Sequence, residues 1–348
     1  MDTTEQMEAD QLQKLEAELA EEDIRIEELQ KKREETIRQM KKARLETVVA
    51  SENAKMLAAN IGPMDNQFFI KVGEDPRAIE EIIVTVLGVP VRVVSAVPEY
   101  TILHIGSRGV RLDNYAEIRV EAELLADCEW GKKGALVDIE VQKEDKDDHE
   151  FRVFYNGASM IIQKTPKGAH FSQIPRAIVI FISSFDVFGD GKMYYEKGMF
   201  DVDSLKRRRH PVTEIFINTA NLEKEEKSSV EKYRKISDLM RVFRDLDHYD
   251  EQFPAFSNRK KELHETEEGQ REMSKEMQLV IAEERRDAKA EGKAEGIAIG
   301  EAKGEIKGTV NSMRVDGKSD QEIIDRLIML YNLSEKDAEV SLTEDIAV

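Results

Sequence analysis

The sequence predicts an α/β or α+β sandwich, set between a long amino-terminal helix and a helical carboxyl-terminal extension. Three observations lead there. Most aromatic and β-branched runs lie between Met64 and about Phe256, whereas the flanks are rich in Glu, Lys, Arg and Ala. Within that stretch Ile79, Ile82, Ile83, Val86 and Leu87 recur at helical spacing, and Ala177 to Ile182 is an unbroken apolar run of strand length, as a buried central strand requires. The order helix, strands, helix, strand completes the pattern.

The first element runs from Gln11 to about Thr47 without Pro or Gly. Leu12, Leu19, Ile26 and Met40 fall on one core position of a heptad, and Leu15, Leu29 and Ala43 on the other, with Glu22, Arg33 and Thr36 interrupting the seam. Two readings stand: a weak or partner-dependent coiled coil that offers a homo-oligomer contact, and a single solvated helix held by Glu/Lys pairs. Asn60-Ile61-Gly62-Pro63 is expected to stop this segment, with the glycine as a left-handed cap. Residues 1–60 therefore form a helical segment ahead of a globular domain over 62–256.

Pro76 fits the first turn of a helix over Arg77 to Leu87. Val91 to Val97 reads as a strand closed by a turn at Val97-Pro98. Gly109 to Val120 and Ala135 to Lys143 read as two more, joined by a polar loop ending in Gly131-Lys132-Lys133-Gly134. Phe151, Phe154, Tyr155, Ala158 and Ile162 mark one face of the next helix. Ala177 to Ile182 follows as a strand, Gly189-Asp190-Gly191 as a turn and Glu214 to Asn218 as another strand. Past about Asn258 a polar helix over 257–312 carries Gly292, Gly296, Gly300, Gly304 and Gly308, each four apart, a stripe that suits a helix contact or a flexible tether. Neighbouring Lys293, Glu295 and Glu301 forbid a membrane there. A capping box, Ser319 with Glu322, and a second cap at Ser334 predict a small helical hairpin over 313–348.

The formal charge of −19 argues against a generic electrostatic nucleic-acid binder, so any DNA contact must be local. A single cysteine, Cys128, and six scattered histidines leave neither a disulfide framework nor a zinc cluster. With no targeting segment and no apolar run of membrane length, a soluble, cytoplasmic protein of bacterial type, without membrane contact, is expected. There is no Gly-x-Ser-x-Gly elbow, no His-Glu-x-x-His and no phosphate loop.

What remains is acids on strands. Asp113 follows Gly109-Val110-Arg111-Leu112, and Asp138, Glu140 and Gln142 alternate along the next strand, so the pleat projects all three from one face. Carboxylates crowded on one side of a sheet repel one another and lose hydration, a cost that a hard cation such as Mg²⁺ offsets. The same alternation also describes a half-exposed antiparallel strand.

Leu112-Asp113, Val137-Asp138-Ile139-Glu140-Val141-Gln142, Phe151-Arg152-Val153-Phe154-Tyr155, and Ile178-Val179-Ile180-Phe181-Ile182 with Phe185-Asp186-Val187-Phe188 together resemble the PD-(D/E)XK nuclease-like transposase family, the recombination-promoting nuclease group. Met64-Asp65-Asn66-Gln67-Phe68, followed by Gly73-Glu74-Asp75-Pro76, fits its opening, and the glycine-punctuated helix fits its carboxyl end. The resemblance spans about Met64 to Glu226, with a looser echo from Asp287 onward. It departs from the family at Phe69, where a lysine is usual and Lys71 follows only two residues later.

The resemblance implies a restriction-endonuclease-like mixed sheet flanked by helices and a DNA endonuclease that depends on Mg²⁺, with Mn²⁺ as a substitute. It implies Asp113 and Glu140 as metal ligands, and Gln142 as the third catalytic residue where the wider superfamily carries a lysine. Gln142 lacks that positive charge, but its amide oxygen can position water. Arg152 and Tyr155, three apart on the following helix, are expected to face the substrate phosphate. By the pleat, Lys143 points to the opposite face. Glu74 and Glu80 read as solvated more readily than as extra acids of the site. Lys206-Arg207-Arg208-Arg209-His210 reads equally as a phosphate contact and as a loop paired with acids. The alternative function is a nuclease fold that has lost cutting and serves assembly through its coil. A DNA-binding role for the tail hairpin is weaker, because Asp320, Glu322, Asp325 and Glu335 would repel phosphate.

Overall fold

The structure, a computed structural model, describes residues 3–102, 108–120, 134–146, 148–224 and 228–343. Cys128, residues 131–133 of the predicted turn, and the side chains of Leu12, Leu15 and Leu19 lie outside what is described. Two compact units are present, Met1–Leu279 and Val280–Val348.

The first unit opens with α1 (Thr3–Thr47), α2 (Glu52–Ala58), α3 (Asn66–Val72) and α4 (Pro76–Leu87). The break between α1 and α2 falls at residues 48–51, earlier than expected, because Ser51 caps α2 by accepting from the Ala54 N–H. Gly62 is not in the left-handed region. A Cβ there would lie 2.4 Å from Leu246 Cδ2, so a side chain at this position would displace the leucine tip. Ile26, Leu29 and Met40 of the predicted seam are exposed. α4 starts as predicted: Asp75 accepts from the Arg77 N–H at 3.0 Å, Pro76 fills the first turn, and Gly88 closes the helix at φ 70°.

A six-stranded sheet follows: β1 (Val91–Ile102), β2 (Val110–Val120), β3 (Ala135–Gln142), β4 (Ala177–Ser183), β5 (Tyr194–Lys197) and β6 (Val212–Asn218), in the order β1-β2-β3-β4-β6-β5. The pairs β1–β2, β2–β3 and β5–β6 are antiparallel; β3–β4 and β4–β6 are parallel. The fold is thus mixed α/β, as predicted. Pro98 makes no turn: it pairs with Asn114 inside β1, whose place at the sheet edge tolerates a residue without an N–H. β5 carries no apolar run and was not legible as a strand.

Both sheet faces are covered. On one, Val137, Ile139, Ile180 and Ile217 join Phe68, Phe69, Ile79, Ile82 and residues of α6 (Glu231–Arg244) and α7 (Pro254–Glu265). On the other, Leu136, Val179, Phe181 and Phe216 pack with Val153 and Met160 of α5 (His149–Lys164), the crossover between β3 and β4. β3 is therefore buried on both faces, which overturns the half-exposed reading. Gly157 lets α5 approach the sheet, since a Cβ would sit 2.5 Å from Val212 Cγ1. The aromatic face of α5 looks outward: Phe151, Phe154, Tyr155 and Ile162 are exposed, and the inward positions are Val153, Asn156, Gly157 and Met160.

α8 (Glu267–Val315) keeps the glycine segment in continuous helix, and a Cβ at any of the five glycines would meet nothing within 4 Å. In the second unit Val310 packs with Ile323, Ile324 and Leu327 of α9 (Asp320–Tyr331) and Ala338 and Leu342 of α10 (Glu335–Thr343). Ser319 and Glu322 form the predicted capping box.

Candidate active site

The antiparallel pairing of β2 with β3 runs from Ile118–Ala135 to Asn114–Ile139 and ends there. One residue further along each strand stand Asp113 and Glu140, and their carboxylates take over the ladder. The Asp113 N–H donates to Glu140 Oε1, and the Val141 N–H donates to Asp113 Oδ2, both at 3.2 Å. Strand pairing thus delivers two side chains that are distant in sequence to one place.

Asp138 lies on the same face of β3 and is fully buried; Asp113 and Glu140 are nearly so. Burial first, and the neighbouring acid second, raise all three carboxyls. Asp113 stands well above the usual carboxylate range because of burial and Glu140. Asp138 is pushed to about 8 by burial and Asp113, and Glu140 to about 8 by burial and Asp138. Two groups from α5 answer this charge. Arg152 donates through Nη2 to Glu140 Oε2 (3.3 Å) and through Nη1 to Gln142 Oε1 (3.1 Å), and its guanidinium lies over the Phe181 ring. Asn156 Nδ2 donates to Asp138 Oδ2 at 3.2 Å. Arg152 and Asn156 are four apart, so one helix face serves both acids of β3.

Asp113, Glu140, Gln142, Arg152 and Asn156 open onto a cleft of about 1030 Å³, lined also by Arg108, Arg111, Lys146, Phe151 and Tyr155. The Tyr155 hydroxyl donates to the Arg108 carbonyl, so Tyr155 borders the cleft and is not core. Lys143 corrects the pleat argument. It follows the last residue of β3, where alternation no longer holds, and it lines the same cleft with Nζ 3.0 Å from Asp65 Oδ1.

Other sequence candidates fall elsewhere. Glu74 pairs with Lys71 and Arg259, and Glu80 accepts from the Val93 N–H. In the basic segment Arg207 pairs with Glu196 and Arg208 with Asp201, while the His210 ring lies against Phe154. Asn156 was not singled out from sequence; its signal was the four-residue spacing from Arg152. Asp138 was recognised as a member of the polar face but not as a site residue.

Among the described residues no group of three or more His, Cys, Asp or Glu side chains is arranged to hold a metal ion. Mg²⁺ asks for less, one or two carboxylates completed by water and substrate oxygens. The donor set fits that demand: Asp113 and Glu140 offer hard carboxyl oxygens buried against each other, and Asp138 Oδ1 behind them is buried with no hydrogen-bond partner among the described residues.

The mixed sheet with helices on both faces is consistent with the PD-(D/E)XK nuclease fold. A family model described as PD-(D/E)XK nuclease family transposase matches residues 118–295, just over half of the chain, and the protein belongs to that family. The match contains Asp138, Glu140, Gln142 and Arg152, begins after Asp113, and reaches into α8. No curated protein and no solved structure matches the chain. Among the described residues no helix is long and apolar enough to cross a membrane.

Proposed function

We propose that this protein is a divalent-metal-dependent DNA endonuclease that hydrolyses phosphodiester bonds, with Mg²⁺ as its ion and Mn²⁺ as a substitute. The observation that carries the reading is the meeting of Asp113 and Glu140 where the β2–β3 ladder ends, on the wall of an open polar cleft. Family membership supports DNA as the substrate.

In this reading Asp113 and Glu140 hold the cation. A divalent ion bound there supplies polarisation of the phosphate and a more acidic water. The chain's own groups do the rest. Gln142, whose amide oxygen already accepts from Arg152 and whose Nε2 donates to the Glu144 carbonyl at 2.9 Å, orients the attacking water. Arg152 is held at the mouth of the site by Glu140 and Gln142. When Glu140 is engaged by the ion, its planar guanidinium is available to a phosphate oxygen and opposes the charge that builds there during attack. Tyr155 borders the same cleft three residues from Arg152, and its hydroxyl serves a substrate phosphate once it leaves the Arg108 carbonyl. Asn156 holds Asp138 behind Glu140, whose own position is fixed by the Asp113 N–H and Arg152.

A plasmid-nicking assay in Mg²⁺ or Mn²⁺ tests this. The wild type is expected to nick, and Asp113→Ala and Glu140→Ala to lose at least about a hundredfold of the rate, the scale of a lost metal or charge-stabilising group. Equal nicking by all three proteins discards the site. A second reading has its own observation: Gln142 replaces the superfamily's lysine, and the α1 seam of Ile26, Leu29 and Met40 is exposed, which suits an inactive fold used for assembly. Absence of nicking in either ion, with self-association through α1, favours that reading.

A further inference from the structure

Beside the acid pair lies a surface that the proposed chemistry does not use. Phe151 and Phe154 project from the outer side of α5, 75% and 46% exposed. Phe151 is part of the cleft wall. Phe154 stacks on His210, with ring centroids 6.4 Å apart and an interplanar angle of 27°, and His210 ends the basic segment Lys206–Arg209. Arg108, Arg111 and Lys146 line the same cleft. Phe151, with Arg108, Arg111 and Lys146 in the same cleft lining, and Phe154 nearly one turn further along α5 form an aromatic ridge beside the acid pair, in a cleft whose lining also holds Asp65, Glu144 and Asp148.

We propose that this ridge seats a single DNA strand, with unpaired bases stacked on Phe151 and Phe154 and the adjoining phosphates passing Arg108, Arg111 and Lys146. The inference rests on the reading of the cleft as a DNA-cutting site and names the form of DNA it takes. Exposed phenyl rings have nothing to offer the phosphates and closed base stack of a duplex, but they are platforms for unpaired bases of any sequence. Three residues of helix rise about 4.5 Å, so the two rings stand within reach of neighbouring nucleotides. The core of a protein-docking face is depleted of lysine, whereas here Lys146 lines the cleft together with Phe151.

The test uses the full-length protein in EDTA, with fluorescence anisotropy of a labelled oligothymidylate and of a labelled duplex of equal length. The double variant Phe151→Ala/Phe154→Ala removes only exposed rings outside the proposed metal and phosphate groups. The expected result is loss of single-strand affinity by roughly 30-fold, the effect of two modest stacking contacts, with duplex affinity changed by less than about threefold. Unchanged single-strand affinity, an equal loss on both DNAs, or no binding of the strand by the wild type would overturn the proposal. So would conversion of a self-associated wild type to monomer in sedimentation, which would make the ridge a contact between copies. Nicking is read separately. A wild type that binds the strand through these rings but cuts nothing leaves the ridge standing and removes the nuclease reading, and one that cuts but ignores the ring deletions does the reverse.

Discussion

Replacing Glu140 with glutamine should make the protein more stable at alkaline pH when no divalent ion is present. In the native chain Glu140 ionises only at about 8, because it is buried first and faces Asp138 second, whereas a free glutamate ionises near 4.5. Between those values the native state holds a proton that the unfolded chain has lost. Stability is therefore full below about pH 4.5 and falls as pH rises toward 8. Asp138 and Glu140 share one face of β3 and burden each other, so the pair counts once. At about 1.36 kcal/mol per pH unit the window is worth on the order of 4 kcal/mol, or about 10 °C in Tm for a unit of this size. Glutamine keeps an acceptor for the Asp113 N–H and removes the ionisation. Thermal melts from pH 5 to 9 in EDTA should show the wild type declining steeply and Glu140→Gln staying flatter, the two curves crossing. Mg²⁺ added at pH 8 should recover the wild type and leave the variant unmoved. Parallel melting curves in EDTA, or equal gain from Mg²⁺ in both proteins, would refute the burial and repulsion argument.

Lys260 is fully buried and donates to the carbonyls of Val242, Asp245 and His248 at 2.6–2.9 Å, so Lys260→Met should lower stability in urea titration by about 3 kcal/mol as three acceptors lose their donor. Gly157→Ala forces a methyl against Val212 and should cost about 1–3 kcal/mol by the same measurement. Ser319→Ala breaks the α9 capping box and should reduce amide protection at the start of α9 by an amount equivalent to about 1 kcal/mol, read by hydrogen exchange, without moving the first unit. Gly300→Ala, where a Cβ meets nothing, should raise helix stability by up to about 1 kcal/mol, seen as slower exchange along α8; faster exchange would mean that the glycine stripe is covered by a partner.

The elements with strong local signals were legible in the sequence. The α4 cap and periodicity, the apolar run of β4 and the capping box of α9 each rest on residues adjacent in sequence, and each forms as read. The misreadings share a cause, which is that tertiary placement decided the outcome. Pro98 breaks an interior strand but not an edge strand, and edge position is a property of the whole sheet. The outer face of α5 holds phenyl rings because Gly157 and Asn156, small and polar, are what fits against the sheet and Asp138. β5 is held by its pairing with β6, from Tyr194–Ile217 to Lys197–Glu214, and has no apolar run of its own.

The meeting of Asp113 and Glu140 belongs to neither category. Periodicity places Asp138, Glu140 and Gln142 on one face, but nothing local to either strand says that β2 and β3 stop pairing one residue before the two acids. The ladder ends at Asn114–Ile139, and Asn114 has another tie: its Nδ2 donates to the Phe69 carbonyl at 3.1 Å, and its side chain occupies the space where a Cβ on Gly73 would sit. β2 is thereby tied to the end of α3 at the point where its pairing with β3 ends. Beyond that point the main-chain groups of Asp113 and Val141 need acceptors, and the two carboxylates provide them. The same bonds that satisfy the unpaired backbone hold two carboxyl groups together on the wall of a cleft. The site is therefore a consequence of where β2 and β3 part while β1–β2 and β3–β4 pairing runs on, and Gly73, far from both acids in sequence, leaves room for the Asn114 side chain at that point.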